Sequence, residues 1–154
     1  MSTKQIFSQA FIGMLLTAIL TSCMDCMEGN GKMATRTAKF NEVTAVKLSL
    51  SADVKLVNDS SGTVKIEGES NLIEAIVIEQ NGTKLTISSD RCFSTNKPIT
   101  ITIPMKTVTD LQINGSGSIL SSAQLGASDL ELGINGSGDI DIDVRATNVK
   151  SNIN

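Results

Sequence analysis

The sequence predicts an all-β domain whose architecture is a single-stranded solenoid with a hairpin-rich N-terminal part. Two observations lead to this prediction. Apolar residues alternate with polar ones at every second position over much of the chain, which is the pattern of half-buried strands. In addition, the pentapeptide Ile-Asn-Gly-Ser-Gly occurs twice, at 113–117 and at 134–138, 21 residues apart. A repeat of this length is typical of stacked structural units.

Composition excludes several functions before any motif is considered. The 154 residues contain no His, Trp or Tyr and carry a formal net charge of -3. Histidine is the usual residue in acid–base catalysis, in the activation of nucleophiles and in zinc binding, so its absence argues against these functions. The Lys and Arg residues are scattered, which argues against a surface that follows nucleic-acid phosphates. We therefore expect no histidine-dependent enzyme, no cofactor and no nucleic-acid partner.

The N-terminus has the features of an export signal. Lys4 precedes the apolar stretch 10–20, which is shorter than the about 20 residues that a helix needs to cross a bilayer. The sequence Leu-Thr-Ser-Cys that ends at Cys23 resembles the lipobox of bacterial lipoproteins. That resemblance implies that residues 1–22 are removed as a signal peptide and that Cys23 is lipidated. A plain secretory signal or an uncleaved anchor is the alternative.

The other cysteines leave two questions open. Cys23 and Cys26 have the CxxC spacing of a metal or redox pair, but the chain offers no second pair and no histidine to complete such a site. Once Cys23 is acylated, Cys26 and Cys92 are the remaining thiols. They are either free or paired with each other in an oxidising envelope, and the sequence is compatible with both states.

Residues 23–38 lack periodicity and predict a flexible tether between the lipid and the domain. The domain itself is predicted at 39–154, where the alternation of apolar residues is regular. The apolar positions that we expect to face the core are Val46, Leu48, Leu50, Val54, Leu56, Val64, Ile66, Ile76, Ile78, Leu85, Ile87, Ile99, Ile101 and Ile103.

Turn residues separate these predicted strands. Asn81 followed by Gly82 predicts a hairpin, and the polar residues 59–62 predict another turn. Residues 71–75 suggest about one turn of helix, which is too short to build a helical layer. Two prolines, Pro98 and Pro104, are expected at the ends of the strand between them, because proline cannot donate to a ladder.

The repeated pentapeptides are predicted to be corners between strands. In a solenoid each unit would stack on the next, so that neighbouring units bury one another's apolar side chains. The chain ends in Ile153 and Asn154, which resemble the start of a third copy, so we expect a C-terminally truncated repeat protein; a natural, shorter chain is the alternative. The predicted corner residues are Asn114, Gly115, Ser116, Gly117, Asn135, Gly136, Ser137 and Gly138.

These motifs resemble a known family. Two INGSG corners about twenty residues apart, together with an ITITIP strand and the sequence DLQINGSGSI that contains the first corner, are similar to the head GIN domain family of putative autotransporter adhesins, a domain of unknown function common in Bacteroidetes. The resemblance covers roughly 39–154. It implies a right-handed parallel β-helix, often behind a lipoprotein signal, and "adhesin" is a label given by analogy.

Two chemical alternatives attach to the corners. Ser116 and Ser137 lie between glycines, but their spacing is not that of a nucleophile elbow, and only a lysine could serve as the base. We therefore predict no catalytic residue. A weak calcium alternative rests on Asp139, Asp141 and Asp143, which would project from one face of a strand. The first repeat has no matching carboxylates, so no metal site is expected.

Together these observations predict a non-catalytic lipoprotein of the cell envelope. The N-terminal lipid would hold it in a membrane, predicted to be the outer membrane, on the periplasmic or the surface face. Polar ladder faces would contact a glycan or another surface. The alternatives are an envelope scaffold or sensor that binds a partner protein, and a calcium-binding β-solenoid.

Overall fold

The computed structural model describes residues 25–154. The predicted signal peptide and Cys23 lie outside the described residues. No helix of the described part is long and apolar enough to cross a bilayer. The elements are β1 (Met27–Glu28), β2 (Met33–Lys39), β3 (Ala45–Ser49), β4 (Asp53–Val57), β5 (Thr63–Glu69), α1 (Ser70–Glu74), β6 (Val77–Asn81), β7 (Lys84–Ser88), β8 (Phe93–Ser94), β9 (Thr100–Pro104), β10 (Asp110–Gly115), β11 (Ser118–Ser121), β12 (Leu125–Gly126), β13 (Asp129–Gly136), β14 (Asp139–Asp141), β15 (Val144–Arg145) and β16 (Asn148–Ile153).

Two six-stranded sheets contain most of these strands. The first sheet has the order β16-β13-β10-β3-β7-β6, and the second has the order β14-β11-β4-β9-β5-β2. Two-stranded sheets, β1-β8 and β12-β15, complete the arrangement. Both large sheets are mixed, because β6 runs antiparallel to β7, while β5 runs antiparallel to both β9 and β2.

The predicted right-handed parallel β-helix is therefore wrong. The all-β content is confirmed, but the described residues form several mixed sheets and no solenoid. The physical reason is that alternation at period two assigns side chains to the two faces of a strand but does not set the direction of its neighbours. The hairpin at Asn81 and Gly82, which the sequence did predict, is itself one source of antiparallel pairing.

The described part of the predicted tether is also different from the expectation. Instead of a flexible segment, it contains β1 and β2, and β2 pairs with β5 along all seven of its residues. The inward positions of β2 are Ala34, Arg36 and Ala38, which carry no large aliphatic side chain, so the strand gives only a weak apolar pattern. Residues 33–39 are thus part of the folded body.

Strand β2 forms one edge of the second sheet. Its Arg36 lies in register with the buried Ile66 and therefore on the inward side. The Arg36 guanidinium donates from Nη2 to the carbonyl oxygen of Ile76 at 2.7 Å. An inward-pointing charge on an edge strand discourages further strand pairing.

The inward faces of the two sheets form a single apolar core. All of the alternating positions predicted to face the core are buried except Leu50 and Ile78, which are half-buried. The predicted helical turn is α1, and the two prolines bracket β9 as expected, with Pro104 as its last residue. Residues 59–62 connect β4 to β5, which pair with β9 and not with each other.

Candidate functional site

The two glycine corners lie side by side. Strands β10 and β13 pair in parallel, with Asn114 opposite Asn135 and Gly115 opposite Gly136. Gly136 has a φ of 124°, and a Cβ atom built on it would lie 2.5 Å from the carbonyl oxygen of Gly115. Only glycine fits both this dihedral angle and this close approach. The register of β10 with β13 thus places the two corners next to each other.

A depression on the outer face of the first sheet is lined mainly by amide side chains. Gly133 lies in one row with Gln112 on one side and Asn152 on the other. Gly133, which has no side chain, is one of the residues that line this depression, and the depression has a volume of about 220 Å³. Amide groups both donate and accept hydrogen bonds, as sugar hydroxyls do. The amide side chains that line this depression, called here the amide notch, belong to Gln112, Asn114, Asn135, Asn152 and Asn154.

A row of charged residues crosses the same face beside the amide notch. Lys84 Nζ lies 2.8 Å from Asp110 Oδ2, and Lys150 Nζ lies 3.0 Å from Glu131 Oε1. Asp110 and Glu131 are direct neighbours across β10 and β13. The other oxygen of Asp110, Oδ1, is buried without a hydrogen-bond partner within the described residues. The row therefore carries two acidic side chains next to each other with a lysine at each end, and the exposed pair of Lys150 with Glu131 adds little stability.

The outer face of the second sheet is also polar and regular. One row carries acidic and hydroxyl side chains, and the neighbouring row carries the lysines Lys55 and Lys65. Lys65 pairs with Glu67 at 2.8 Å, and Ser118 Oγ donates to Asp53 Oδ1 at 2.6 Å. The acidic and hydroxyl row consists of Asp139, Ser118, Asp53, Thr100, Glu67 and Thr35.

The chemical alternatives find little support in the geometry. Ser116 and Ser137 are exposed at their corners, and the hydrogen bonds found among residues 25–154 include none from either hydroxyl. Asp139 and Asp141 point outward from β14, but Asp143 lies beyond the strand and accepts a hydrogen bond from Gln124. Among the described residues, no group of three His, Cys, Asp or Glu side chains is placed to hold a metal ion.

The N-terminal segment is fastened to the body by a disulfide. Cys26 and Cys92 are bonded to each other, which decides between the two states that the sequence left open. The bond lies next to the parallel pair β1 and β8, in which Met27 is opposite Phe93. We call residues 26–32, together with the contacts that hold them, the N-terminal latch.

Glu69 is the buried carboxylate at the centre of the latch. Its two oxygens accept hydrogen bonds from Gly31 N and Thr95 Oγ1. Lys97 lies beside it and donates from Nζ to the carbonyl oxygen of Gly31 at 2.6 Å. A Cβ atom on Gly29 would collide with the Glu69 carboxylate, so a larger residue there would displace this carboxylate. The carboxylate thus joins the N-terminal segment to the loop that follows β8.

These contacts lower the pKa of Glu69. The hydrogen bond from Thr95 is the largest cause; burial opposes it, and the hydrogen bond from Gly31 and the charge of Lys97 add to the lowering. A carboxylate whose pKa is lower in the folded state stabilises the fold above the unfolded pKa. It loses that contribution as the pH falls through the folded pKa.

We expect Glu69→Gln to be less stable than the wild type at neutral pH, and the difference to shrink as the pH falls through the folded pKa of Glu69. Denaturant unfolding at several values from about pH 7 to about pH 3 measures this difference across the titration range of carboxyl groups. Glu67→Gln is the matched control, because Glu67 lies two positions earlier on β5 and is exposed. A difference that does not change with pH would contradict the role given to the Glu69 charge.

Sequence reasoning did not find Glu69, Thr95 or the amide notch. The acidic Glu69 is the last residue of β5 and, in the alternation of that strand, looks like an ordinary outward position. Glu69 is buried because residues 29–31 fold back over it, and this contact is visible only in the structure. The amide notch had a partial signal, because Asn114 and Asn135 were predicted corner residues that stack. The contributions of Gln112 and Asn152 depend on the strand register.

The described chain is a two-sheet β-domain with regular polar outer faces and a disulfide-fastened N-terminal segment. By sequence it belongs to the family described as "Putative auto-transporter adhesin, head GIN domain", whose model matches residues 42–154. The resemblance inferred from the glycine corners is thereby confirmed. Among curated proteins, no sequence matches this chain significantly.

Several solved structures share this fold. A "putative adhesin" of Bacteroides fragilis is 20% identical, with a TM-score of 0.74, and the match covers 82% of this chain and 61% of that protein. A "putative adhesin" of Parabacteroides merdae is 17% identical, with a TM-score of 0.63 and coverages of 83% and 61%. A "Putative lipid binding protein" of Parabacteroides distasonis is 20% identical, with a TM-score of 0.67 and coverages of 82% and 65%. This chain thus spans less than two thirds of each of them.

Proposed function

We propose that this chain is a non-catalytic, lipid-anchored protein of the cell envelope that contacts a glycan through the outer face of its first sheet. The amide notch is the observation that carries the proposal. It offers several amide side chains around a gap in an otherwise regular face. The chain has no Trp or Tyr, so binding would depend on hydrogen bonds and not on stacking of sugar rings on large aromatic side chains.

The family and the fold agree with this proposal. The matching family and two of the solved neighbours are described as adhesins, and adhesion requires an exposed, regular contact face. A disulfide between Cys26 and Cys92 suits an oxidising compartment outside the cytoplasm. Both points favour a protein that acts in the envelope.

We expect the double variant Asn135→Ala/Asn152→Ala to lose most glycan binding. Two lost hydrogen bonds at about 1 kcal/mol each correspond to about 30-fold weaker affinity. The measurement is a glycan array with the purified protein, followed by titration of each glycan that binds. Both side chains are exposed, so the fold should be unaffected.

The matched control is Lys55→Ala/Thr102→Ala on the outer face of the second sheet, which should bind like the wild type. Equal loss in both double variants would show that the amide notch is not the contact site. If no glycan is retained, the glycan proposal fails. A partner protein recovered by cross-linking would then favour a scaffold or sensor, and the exposed Val149 and Ile153 on β16 would be its natural contacts.

The lipid anchor is the second part of the proposal. The lipobox that ends at Cys23 predicts it, and the outer membrane is the proposed location. We expect Cys23→Ala to move the protein from the membrane fraction to the soluble envelope fraction, because acyl chains supply the membrane affinity. Cell fractionation with immunoblotting measures the change, and Ser22→Ala, which keeps a small residue before the cysteine, is the control. Continued membrane retention of Cys23→Ala would contradict lipidation.

A further inference from the structure

The N-terminal latch leaves almost no free chain beyond Cys23. From Cys26 onward nearly every residue bonds to the body. Met27 N donates to Cys92 O at 2.9 Å, and Gly29 N donates to Ser94 O at 3.0 Å. The disulfide adds a covalent bond one residue earlier, between Cys26 and Cys92. The part of the segment that is bonded to the domain therefore begins directly after Asp25.

The side of the latch that faces α1 is fastened as well. Asn71 Nδ2 donates to the carbonyl oxygen of Glu28 at 2.7 Å, and Asn30 Nδ2 donates to Ser70 Oγ at 2.8 Å. Ser70 N donates to the carbonyl oxygen of Lys32 at 2.8 Å. Together with the contacts of Glu69, these bonds hold both sides of residues 26–32.

Covalent geometry then limits how far the body can stand from the lipid. Only Met24 and Asp25 separate Cys23 from Cys26. Three consecutive Cα–Cα steps of an extended chain reach at most about 11 Å. The polar head-group layer on each side of a bilayer is itself about 5–7 Å thick. A lipid on Cys23 would therefore bring Cys26 to within a few ångströms of the head groups.

We propose that the disulfide corner, made of Cys26, Cys92, β1 and β8, is held against the surface of the membrane that contains the lipid. This proposal rests on the proposed lipidation of Cys23. The latch replaces the flexible tether that the sequence suggested, and the domain is a membrane-apposed body with a fixed point of attachment. A ligand or partner of the domain must therefore bind at a distance from the bilayer that does not exceed the height of the domain.

The proposal gives the disulfide a second role beyond stability. If residues 26–32 were released, the first fixed residue would be Met33, and the maximum reach from Cys23 would rise to about 35 Å. The latch thus sets the distance between the folded domain and the lipid. The Cys26–Cys92 bond keeps residues 26–32 attached to the domain.

Chemical coupling to vesicles tests this geometry without native lipidation. In residues 23–154, Cys23 is the only cysteine outside the disulfide, so it can be coupled to a maleimide lipid in phosphatidylcholine vesicles that also contain a dansyl lipid. The chain has no Trp, so Arg91→Trp supplies a single fluorescent donor beside Cys92. Arg91 is exposed, and its replacement leaves the disulfide intact.

The comparison is between this protein and one with about ten Gly and Ser residues inserted between Asp25 and Cys26. Such an insert adds on the order of 17 Å of average reach, so energy transfer from the tryptophan to the dansyl lipid should fall about threefold. Equal transfer with and without the insert would overturn the proposal. The insert lies outside the latch, so both proteins keep the fold, which circular dichroism verifies. The outcome is independent of the Cys23→Ala fractionation, which tests lipidation alone.

Discussion

Replacing both Cys26 and Cys92 with serine should lower the free energy of unfolding by about 4 kcal/mol, the value expected for a closed loop of this length. The two cysteines are 66 residues apart in sequence, so the bond removes much of the conformational freedom of the unfolded chain. Denaturant unfolding of residues 23–154 in a Cys23→Ala background measures the change and avoids a competing thiol.

The wild type under reducing conditions provides a second measurement of the same quantity. It should unfold at the same denaturant concentration as the double serine variant. Cys23→Ala alone, under oxidising conditions, is the control and should match the wild type. If the double variant and the oxidised wild type have the same midpoint, the disulfide does not contribute to stability in the way proposed.

Gly117→Ala should destabilise the domain by about 2–3 kcal/mol, the upper range for overpacking a well-filled interior. A Cβ atom on Gly117 would lie 2.5 Å from Leu48 Cδ2 and 2.8 Å from the carbonyl oxygens of Leu50 and Ala52. Leu48 is fully buried, and the two oxygens belong to the backbone, so neither side can yield easily. The denaturant midpoint, measured with an unchanged slope, gives the loss.

Gly133→Ala is the matched control for this substitution. Its Cβ atom would meet only Gln112 Cγ, at the ordinary contact distance of 3.6 Å. We expect a change near zero or a slight gain, because alanine restricts the unfolded chain more than glycine does. Equal losses in the two variants would mean that the crowding around Gly117 is relieved by a backbone shift.

The repeat and the core could be read from the sequence, because they depend on local pattern. Alternation identifies which side of a strand is apolar, and Val46, Leu48 and Ile113 are buried accordingly. The two INGSG copies are identical, so their pairing places each residue of the first copy opposite the same residue type in the second. The structure places them in register.

Strand direction could not be read in the same way. Strands β5 and β9 have the alternation of strands in a parallel stack, yet they pair antiparallel. Strand β2 was missed because Ala34 and Ala38 are small, and because Arg36 occupies an inward position that is normally apolar. The edge strand β2 is stabilised by the hydrogen bond from Arg36 to the carbonyl oxygen of Ile76, and no local sequence pattern predicts this contact.

The latch lay beyond sequence reasoning for a different reason. Its members Gly31, Glu69 and Thr95 are far apart along the chain and belong to no motif. Cys26 and Cys92 were recognised as a candidate pair, but only their positions in the fold decide that they bond. The proposed lipid site at Cys23, by contrast, rests on a short local motif, the lipobox that ends at this cysteine.

Arg36 has a consequence for how copies of this domain can assemble. Head-to-tail association of identical molecules through open sheet edges would generate filaments without limit. The guanidinium of Arg36, bound to Ile76 O behind β2, makes this edge a poor acceptor for another strand. Association of further copies through this edge is thereby disfavoured, which works against the growth of a filament in that direction.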